Sequence, residues 1–406
     1  MRRVRTTPRP GWRETVVSQG LVYPTTPSRS GLGEDDYWFE RACYVLTSDE
    51  VDHLEGVTER VHAMCVEAAR YLCSGECGDL GLPPGSLEAA RASLDAAPPS
   101  LYGRFDLRFD GRDGQPAKVL EYNADTPTGL VEASVAQWYW LQDVAPELDQ
   151  WNSLHERLVE AWRGVRERTG LGVLHLAHLG AEKSGEEEMT VGYLRDCADQ
   201  AGWSTRQLQV EQLGWNPDVQ RFIGLDDDVI DVLFKLYPWE DVLWEDFGAH
   251  ALTTLEQGST VWLEPLWKVV LSNKALLVAL WRCFPGHENL LPAAFEPDGM
   301  AEWVKKPLHG REGDNIEVSS RDLSLVQPGE YGEEGSVYQQ YVRMPDFDGN
   351  KAVVGSWVVD GKAAGCGIRE SDSPVTDYYA RFVPHHIDGP APSPQQRAAW
   401  LHEPAT

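Results

Sequence analysis

Four polar side chains at two-residue spacing carry the clearest chemistry in this sequence. Arg104 and Asp106 alternate with apolar residues in one short run, and Glu121 and Asn123 do so in the next. Because side chains two positions apart lie on the same face of a strand, each pair points in one direction if the runs are extended. Two carboxylates and an amide oxygen would suit Mg²⁺, which prefers oxygen ligands. Arg104 beside that ion would sit where negative charge accumulates on a transferring phosphoryl group.

An alternative interpretation of the same residues requires no ligand. In a surface hairpin they would form cross-strand charge pairs on an exposed face. The segment that follows contains Asp125, Thr126 and Thr128, which keep a carboxylate and two hydroxyls beside the four residues. A surface hairpin does not require these groups, so both interpretations stay open on spacing alone.

The elements that must position these residues are two strands joined by a turn. Residues 104–110 alternate apolar and charged side chains, which is typical of a half-buried strand. Residues 111–114 have the sequence Gly-Arg-Asp-Gly, which is typical of a turn, and residues 117–123 form the second strand. The sequence therefore predicts a β-hairpin.

The chain around this hairpin changes from helical to mixed and then to strand-rich. Residues 49–73 carry apolar side chains every three or four positions and follow Ser48, which can act as an N-cap. Residues 172–235 are predicted as a small α/β unit. Further elements are predicted as a helix over 274–284 and strands over 337–342, 352–359 and 363–369, the last two joined by a tight turn at Asp360-Gly361. The predicted fold class is α+β.

Composition excludes several classes of partner. The 406 residues are 42% hydrophobic and 10% aromatic, enough to bury a core and to form two or three domains. The 64 acidic residues exceed the 36 Lys and Arg by 28, and this negative field repels nucleic acid and anionic membranes. It favours a cationic partner such as a polyamine, although a solvated acidic surface would have the same composition.

Common nucleotide-binding and hydrolase motifs are absent from the sequence. There is no Gly-x-x-x-x-Gly-Lys-Ser/Thr loop, no complete dinucleotide fingerprint and no Gly-x-Ser-x-Gly elbow. Seven scattered Cys residues match neither a disulfide framework nor a zinc site. No apolar run is long enough for a membrane span or follows the basic N-terminus as in a secretory signal. We therefore expect a cytoplasmic protein.

The hairpin residues belong to a longer series of distinctive motifs. In chain order the series is GRFD (103–106), LEYNADTPT (120–128), FKLYPWE (234–240), EPLW (264–267), SNKA (272–275), KPL (306–308), GREG (310–313), YQQY (338–341) and GIR (367–369). This series resembles the synthetase domain of the glutathionylspermidine synthetase family over nearly the whole chain. It is most similar to the stand-alone acid–amine ligases of that family, which lack the amidase domain.

The resemblance implies a domain organisation. It implies an ATP-grasp-type ligase with a small α/β pre-ATP-grasp unit at about 170–235, inside a synthetase-like region over 43–389. Residues 1–42 would be an N-terminal extension, and residues 390–406 a polar tail. Because no Cys precedes Cys43, we expect synthesis without the amidase.

The resemblance also implies a reaction in two steps, with ATP and Mg²⁺ as cofactors. ATP phosphorylates a carboxylate, and an amine then attacks the acyl phosphate. By this analogy Asp106, Glu121 and Asn123 would hold magnesium, and Arg104 would be the catalytic residue that stabilises the transferring phosphoryl group. Positioning and charge neutralisation dominate such a step.

A further set of positions matches residues that bind ATP in the family. Lys274 and Lys306 match two nucleotide-binding lysines, residues 310–313 match a loop that closes over the phosphates, and residues 339–342 match the lining of the adenine pocket. The complete set implied for ATP is Arg104, Lys274, Lys306, Arg311, Glu312, Gly313, Gln339, Gln340, Tyr341, Val342 and Arg369.

Four positions are implied for substrate. Thr126 and Thr128 stand where the glutathione-using relatives carry hydroxyl side chains. Glu186 and Glu187 fall near an acidic pair that holds the substrate's amino end in those relatives, while a solvated charge run is the alternative interpretation.

The sequence thus predicts an ATP-dependent ligase that joins a small acid or peptide to a polyamine-like or other amine. Leu236 replaces a family Thr, and Arg381 lies about where the family has an Asp, so glutathione itself stays open as a substrate. Two alternatives remain: carboxylate activation with an amino-acid or peptide acceptor, and a non-catalytic ATP-binding sensor or scaffold. The expected partners are small molecules, with no nucleic acid and no membrane.

Overall fold

The computed structural model describes residues 1–112, 115–297 and 299–390. Half of the predicted hairpin turn, Asp113 and Gly114, lies outside the described residues. So does the predicted polar tail beyond residue 390. Mixed sheets and helices confirm the α+β class.

Helices lie mainly in the first three quarters of the described chain. They are α1 (Trp12–Ser18), α2 (Ser48–Leu72), α3 (Ser86–Ala96), α4 (Gln137–Val144), α5 (Leu154–Thr169), α6 (Glu186–Gln200), α7 (Trp239–Trp244), α8 (Gly248–Gln257), α9 (Val269–Ser272) and α10 (Ala275–Cys283). A π-helical segment, Glu132–Ala136, precedes α4, and 3₁₀ turns lie at Val210–Gln212 and Leu266–Lys268.

Strands occur throughout the described chain. They are β1 (Arg2–Arg5), β2 (Thr25–Pro27), β3 (Glu34–Asp36), β4 (Ala42–Leu46), β5 (Tyr102–Arg108), β6 (Lys118–Asn123), β7 (Leu148–Asp149), β8 (Val173–His178), β9 (Ser204–Gln209), β10 (Gly214–Asn216), β11 (Arg221–Ile223), β12 (Val232–Leu236), β13 (Val261–Leu263), β14 (Ala293–Ala294), β15 (Trp303–Pro307), β16 (Glu317–Ser319), β17 (Ser324–Val326), β18 (Ser336–Gln340), β19 (Asp346–Phe347), β20 (Asn350–Val359), β21 (Lys362–Ser371), β22 (Arg381–Val383) and β23 (His385–Pro390).

The predicted hairpin lies at one edge of a six-stranded sheet. Strands β5 and β6 pair antiparallel, and the sheet continues from β5 through β20 and β21 to β22, with β19 paired to β20. The tight turn predicted at Asp360-Gly361 joins β20 to β21. A separate five-stranded antiparallel sheet has the order β14-β18-β15-β16-β17. Later strands of the chain therefore extend the sheet of the hairpin and form a second sheet of their own.

The predicted α/β unit contains a parallel sheet. Its strand order is β13-β12-β8-β9, and α6 connects β8 to β9. Strands β8, β12 and β13 are short, mostly apolar and mostly buried, as in other parallel sheets with covered faces, whereas the edge strand β9 is polar and largely accessible to solvent. The sheet includes β13, which lies beyond the 170–235 range.

Residues 1–42 are packed into the same molecule. Strand β1 pairs with β4, and β4 pairs with β23 near the other end of the described chain. Trp38, which is fully buried, stacks on Phe382 of β22. The N-terminal segment therefore contributes to the core.

The predicted amphipathic helix is confirmed as α2. The residues predicted for its buried face are all buried: Val51, Leu54, Val57, Val61, Met64, Ala68 and Leu72. The N-cap of α2 is Thr47, so the prediction of Ser48 as the N-cap was wrong by one residue. Thr47 Oγ1 accepts the backbone N–H of Glu50, whose carboxylate accepts the N–H of Thr47. This capping box requires Thr three residues before Glu, a condition that Ser48 does not meet.

Within the described residues, no helix combines the length and hydrophobicity that a membrane span requires.

Candidate active site

The register of the hairpin brings its four polar residues to one face. Arg104 lies opposite Asn123, and Asp106 lies opposite Glu121. Residues directly opposite each other in an antiparallel pair share a face of the sheet. The predicted convergence is therefore present in the structure, while the roles of these residues stay predictions.

Asp106 is held by two arginines. Its Oδ1 accepts Arg104 Nε at 2.9 Å, and its Oδ2 accepts Arg369 Nη2 at 2.5 Å. Gly355 of β20 lies opposite Asp106, and a Cβ atom there would come within 3.1 Å of Arg104 Cδ. A glycine in the neighbouring strand thus leaves room for the Arg104 side chain.

Glu121 faces a lysine on its other side. Its Oε2 lies 3.2 Å from Lys274 Nζ, and its Oε1 accepts Asn123 Nδ2 at 3.2 Å. Burial acts to raise the pKa of Glu121, but the charges of Lys274 and Lys306 outweigh it and lower the pKa well below its usual range. Glu121 is therefore a carboxylate at neutral pH.

Lys306 joins the five-stranded sheet to the hairpin. Its Nζ donates to the carbonyl of Leu120 at 2.8 Å and to Gln339 Oε1 at 2.9 Å, and Gln339 Nε2 donates to the Val119 carbonyl. Burial lowers the pKa of Lys306 to about 8. Both predicted nucleotide-binding lysines thus lie beside the hairpin.

The donor set fits a nucleotide-bound magnesium ion. Asp106 and Glu121 supply carboxylates, and Asn123 supplies an amide oxygen on the same face. Within the described residues, neither this place nor any other has a group of three or more His, Cys, Asp or Glu side chains arranged to hold a metal. Magnesium characteristically takes one or two carboxylates and completes its shell with phosphates and water, so two carboxylates are compatible with such an ion.

The predicted phosphate-covering loop, residues 310–313, contacts Lys274 beside the hairpin. Lys274 Nζ donates to the Gly310 carbonyl at 2.9 Å, and Arg311 Nη2 lies 3.4 Å from Glu240 Oε1. Gly313 has a φ of 74°, and a Cβ there would approach the Thr376 carbonyl oxygen to 2.9 Å. This backbone conformation and the lack of space favour glycine.

The predicted adenine-pocket segment is only partly a strand. Strand β18 ends at Gln340, whereas the sequence predicted a strand to Val342. Gln339 is buried against Lys306, but the N–H groups of Gln340 and Tyr341 already donate to the Pro292 and Glu302 carbonyls. A hydrogen bond from this segment to adenine would therefore have to use groups other than these two N–H groups.

The predicted substrate hydroxyls have different surroundings. Thr126 lines a cavity together with Asn123, Lys274 and Arg311. The carbonyl of Thr128 accepts Arg104 Nη1, so this residue contacts the site through its backbone. Thr126 is thus the hydroxyl that adjoins the predicted nucleotide positions.

The two predicted acidic residues diverge at the start of α6. Glu187 Oε2 accepts the N–H of Leu179 at 2.9 Å, and burial raises the pKa of Glu187 to about 7. Glu186 lies instead beside Tyr23 and Tyr37, whose pKa values its charge helps to raise. The two carboxylates therefore have different neighbours.

A buried ion pair beside the site was missed by the sequence reasoning. Lys235 Nζ lies 2.8 Å from Asp125 Oδ1, and Asp125 Oδ2 accepts the N–H of Trp239. Lys235 is 2% exposed, and burial raises the pKa of Asp125 to about 6. The sequence did contain a signal for this ion pair, because Lys235 is the one charged residue in the otherwise apolar strand β12. This pair links the end of the hairpin to the α/β unit.

Sequence comparison places the chain among known proteins. Residues 3–388 match a family model described as glutathionylspermidine synthase preATP-grasp. A Haemophilus influenzae protein with the provisional name acid–amine ligase is 38% identical over 403 residues, which cover 95% of this chain and 100% of that protein. The bifunctional glutathionylspermidine synthetase/amidase of Escherichia coli is 29% identical over 302 residues, covering 68% of this chain and 47% of that enzyme.

Structural comparison finds the same overall fold in a distant protein. A glutathione synthetase-like effector from Globodera pallida in its apo form superposes with a TM-score of 0.56 and 9% sequence identity. The match covers 93% of this chain and 95% of that one. At this identity the likeness concerns the fold alone.

Proposed function

The chain belongs to the glutathionylspermidine synthase preATP-grasp family, and on that premise we propose that it is an ATP-dependent ligase that joins a small carboxylic acid to an amine. Its relatives are named as ligases and synthetases, so the reaction class is formation of a C–N bond. The proposed fold is of the ATP-grasp type, with the nucleotide between the six-stranded and five-stranded sheets. The contact of Lys306 with the Leu120 carbonyl, where these sheets meet, supports this location.

One observation carries the proposal. In a protein with 28 excess negative charges, Arg104, Arg369 and Lys274 gather around Asp106 and Glu121. Cations of this kind can bind phosphate oxygens, and the carboxylates can bind the divalent ion that accompanies the nucleotide. In the absence of ligand, each cation is paired with a carboxylate and each carboxylate with a cation. On binding, a cation can exchange its carboxylate for a phosphate, and a carboxylate can exchange its cation for the divalent ion.

The proposed reaction has two balanced steps. A carboxylate oxygen of the acid attacks the γ-phosphorus of ATP, so that ADP leaves and an acyl phosphate forms. The amine nitrogen then attacks the acyl carbon, loses a proton and expels inorganic phosphate. Neither step uses a protein nucleophile, and positioning with charge stabilisation provides the catalysis.

The chain's own residues have distinct parts in this scheme. Lys274 and Lys306 bind phosphate oxygens, and Arg104, anchored by Asp106, stabilises the charge on the transferring phosphoryl group. Asp106, Glu121 and Asn123 would hold Mg²⁺, which supplies charge neutralisation at the phosphates. Arg311 with the rest of the 310–313 loop covers the phosphates and excludes water.

ADP release by the purified protein tests the proposal. The protein is incubated with ATP, Mg²⁺ and pools of carboxylic acids and amines, and products are identified by mass spectrometry. We expect a condensed amide, and repeated turnover of ATP to ADP, only when an acid and an amine are both present, because the first step alone consumes ATP once per active site. Lys306→Met removes one of the proposed phosphate contacts. Lys305→Met is its matched control, because Lys305 is the neighbouring residue of the same strand and has no predicted contact with the nucleotide.

Other outcomes of this experiment separate the alternatives. Condensation that accepts amino acids or peptides and rejects simple amines would favour the second acceptor class. Repeated turnover of ATP to ADP with an acid alone would contradict a reaction that couples both substrates. Saturable ATP binding without turnover in any pool would contradict the ligase and support a scaffold.

A further inference from the structure

The N-terminal segment includes a small two-stranded ribbon to which the proposed function gives no role. Strands β2 and β3 pair antiparallel, and residues 28–33 join them at the tip of this N-terminal ribbon. The base of the ribbon is anchored to β22, because the Tyr37 carbonyl accepts the N–H of Phe382 at 2.8 Å and the Phe382 carbonyl accepts the N–H of Phe39 at 2.9 Å. The ribbon therefore leaves the core beside β22.

The residues that precede β22 form a connecting segment, residues 372–380, between β21 and β22. The two ends of this segment are joined, because Arg381 Nη2 donates to Asp372 Oδ1 at 2.8 Å. Within the segment, Asp377 Oδ1 accepts the N–H of Tyr379 at 3.0 Å. A loop whose ends are close and whose side chains bond within it is a compact structure and not an open linker.

The tip of the N-terminal ribbon holds the connecting segment through Arg29. Arg29 Nη2 lies 2.6 Å from Asp377 Oδ2, and the guanidinium carbon lies 4.5 Å from the centroid of the Tyr379 ring. The side chain of Asp377 is only 5% exposed, whereas that of Arg29 is 58% exposed. A carboxylate that is removed from water is destabilising when its cation is lost, so this ion pair contributes more than a fully exposed pair would.

The connecting segment also contacts the 310–313 loop. A Cβ atom at Gly313 would lie 2.9 Å from the Thr376 carbonyl oxygen and 3.1 Å from Val375 Cγ1. Such short distances mean that the backbone of the loop packs directly on Val375 and Thr376, which precede Asp377 in the chain. The connecting segment therefore contacts both the tip of the ribbon and the loop that is proposed to cover the phosphates.

We propose that Arg29 is a positioning residue for the 310–313 loop. This inference rests on the proposed function, in which that loop covers the phosphates and excludes water. Arg29 holds Asp377 and so fixes the connecting segment, which gives the loop a rigid surface to pack on when the nucleotide is bound. A loop that closes over a reacting centre protects reactive intermediates from water, and the acyl phosphate is such an intermediate.

The amount of ADP formed per amide tests the inference. The protein is supplied with ATP, Mg²⁺ and an acid and amine that give product in the pooled screen, and ADP and amide are quantified together. In Arg29→Ala we expect this ratio to rise by about threefold or more, because water that reaches the acyl phosphate returns the free acid and inorganic phosphate. The ratio does not depend on the folded fraction of the protein, so a purely structural loss of activity leaves it unchanged.

Two further variants complete this experiment. Arg29→Lys retains a positive charge that can pair with Asp377 and lie on Tyr379, so we expect its ratio between those of the wild type and Arg29→Ala. Arg13→Ala is the matched control. Arg13 Nη2 lies 2.5 Å from Asp36 Oδ1, so this variant removes the same charge and an ion pair of the same ribbon that does not involve the connecting segment. We expect the wild-type ratio for it.

Hydrogen exchange measured by mass spectrometry tests the position of the loop without any turnover. The measurement is made in the presence and absence of Mg²⁺ and AMP-PNP, on peptides that cover residues 308–316 and 372–380. In Arg29→Ala we expect the amides of both peptides to exchange about fivefold or more faster than in the wild type, because both segments open more often. Arg13→Ala should exchange as the wild type does.

The outcomes separate this inference from the proposed function. A wild-type ratio of ADP to amide in Arg29→Ala would overturn the inference, as would faster exchange that is confined to 372–380 and leaves 308–316 unchanged. Equal effects in Arg13→Ala would also overturn it, since they would then arise from the charge of the ribbon. If the wild type forms no amide in any pool, the proposed function alone is contradicted, and hydrogen exchange still decides whether Arg29 positions the loop.

Discussion

At the scale of single residues, opposite charges alternate across the candidate site. Arg104 and Arg369 hold the two oxygens of Asp106, while Lys274 and Asn123 hold those of Glu121. These contacts keep each group close to the position that a nucleotide would require, which reduces the reorganisation needed on binding. We therefore expect the effect of each residue on turnover to be separable from its effect on nucleotide affinity.

Replacing Arg104 should affect turnover more than binding. Arg104→Gln is expected to lower kcat by about a hundredfold or more, because it removes a donor to charge that develops in the transition state. The affinity for AMP-PNP, measured by calorimetry, should stay nearly unchanged. Arg108→Gln is the matched control, since Arg108 lies on the same strand and bonds to Asp110 outside the site. Equal losses of affinity and rate in Arg104→Gln would contradict the assigned role.

Nucleotide affinity should depend on pH through Lys306. Burial lowers the pKa of this lysine from 10.5 to about 8, so the folded protein loses its charge at a lower pH than an exposed lysine would. AMP-PNP affinity is therefore expected to fall as pH rises, by about tenfold between pH 7 and pH 9. Calorimetry across this range should show a flat profile for Lys306→Met and the wild-type profile for Lys305→Met. The same steep profile in Lys306→Met would show that another group is responsible.

At the scale of elements, the neighbouring strand β20 controls the position of Arg104. In Gly355→Ala, the added methyl carbon would lie 3.1 Å from Arg104 Cδ. This distance is too short, and the Arg104 side chain therefore has to move. We expect kcat to fall by about tenfold with AMP-PNP affinity retained, because small displacements at a reacting centre are costly.

Gly56→Ala is the control for this change. Gly56 lies within α2, and an added Cβ would meet nothing within 4 Å. Alanine there should leave kcat unchanged and raise the free energy of unfolding by about 0.5–1 kcal/mol, as measured by urea denaturation. A wild-type kcat in Gly355→Ala would count against steric positioning of Arg104.

Elements with a clear period were predictable from the sequence. The alternation around Arg104 and Asp106 gave the hairpin and the shared face, because a strand has a period of two regardless of its surroundings. The buried face of α2 followed from its helical period in the same way. Its cap was misplaced by one residue because two hydroxyl residues, Thr47 and Ser48, stand in succession and only the first completes the capping box.

Contacts between distant segments were not predictable. Asp125 and Lys235 are 110 positions apart, and the Tyr37 hydroxyl reaches Glu132 across 95 positions. Local periodicity does not encode which strands become neighbours, since that depends on topology. The contact of Arg369 with Asp106 was not predicted either, for the same reason: the family resemblance implied only that Arg369 binds ATP.

At the scale of the whole molecule, the negative field should act on the encounter with substrate. The 28 excess negative charges attract cationic amines from solution, and salt screens that attraction. We expect the KM of a cationic amine substrate to rise by about threefold or more between about 20 mM and 300 mM KCl. Sucrose at matched osmolarity should leave this KM unchanged. A KM that falls or stays constant with salt would contradict a contribution of the field.

We propose that Asp106, Glu121 and Asn123 hold the divalent ion of a nucleotide whose phosphates reach Lys274 and Lys306. Anomalous diffraction from crystals grown with Mn²⁺ and AMP-PNP tests it most directly. We expect manganese peaks within about 2.2 Å of oxygen atoms of the three hairpin residues, with phosphate density against both lysines. Manganese bound elsewhere, or triphosphate density on a different surface of the protein, would contradict it.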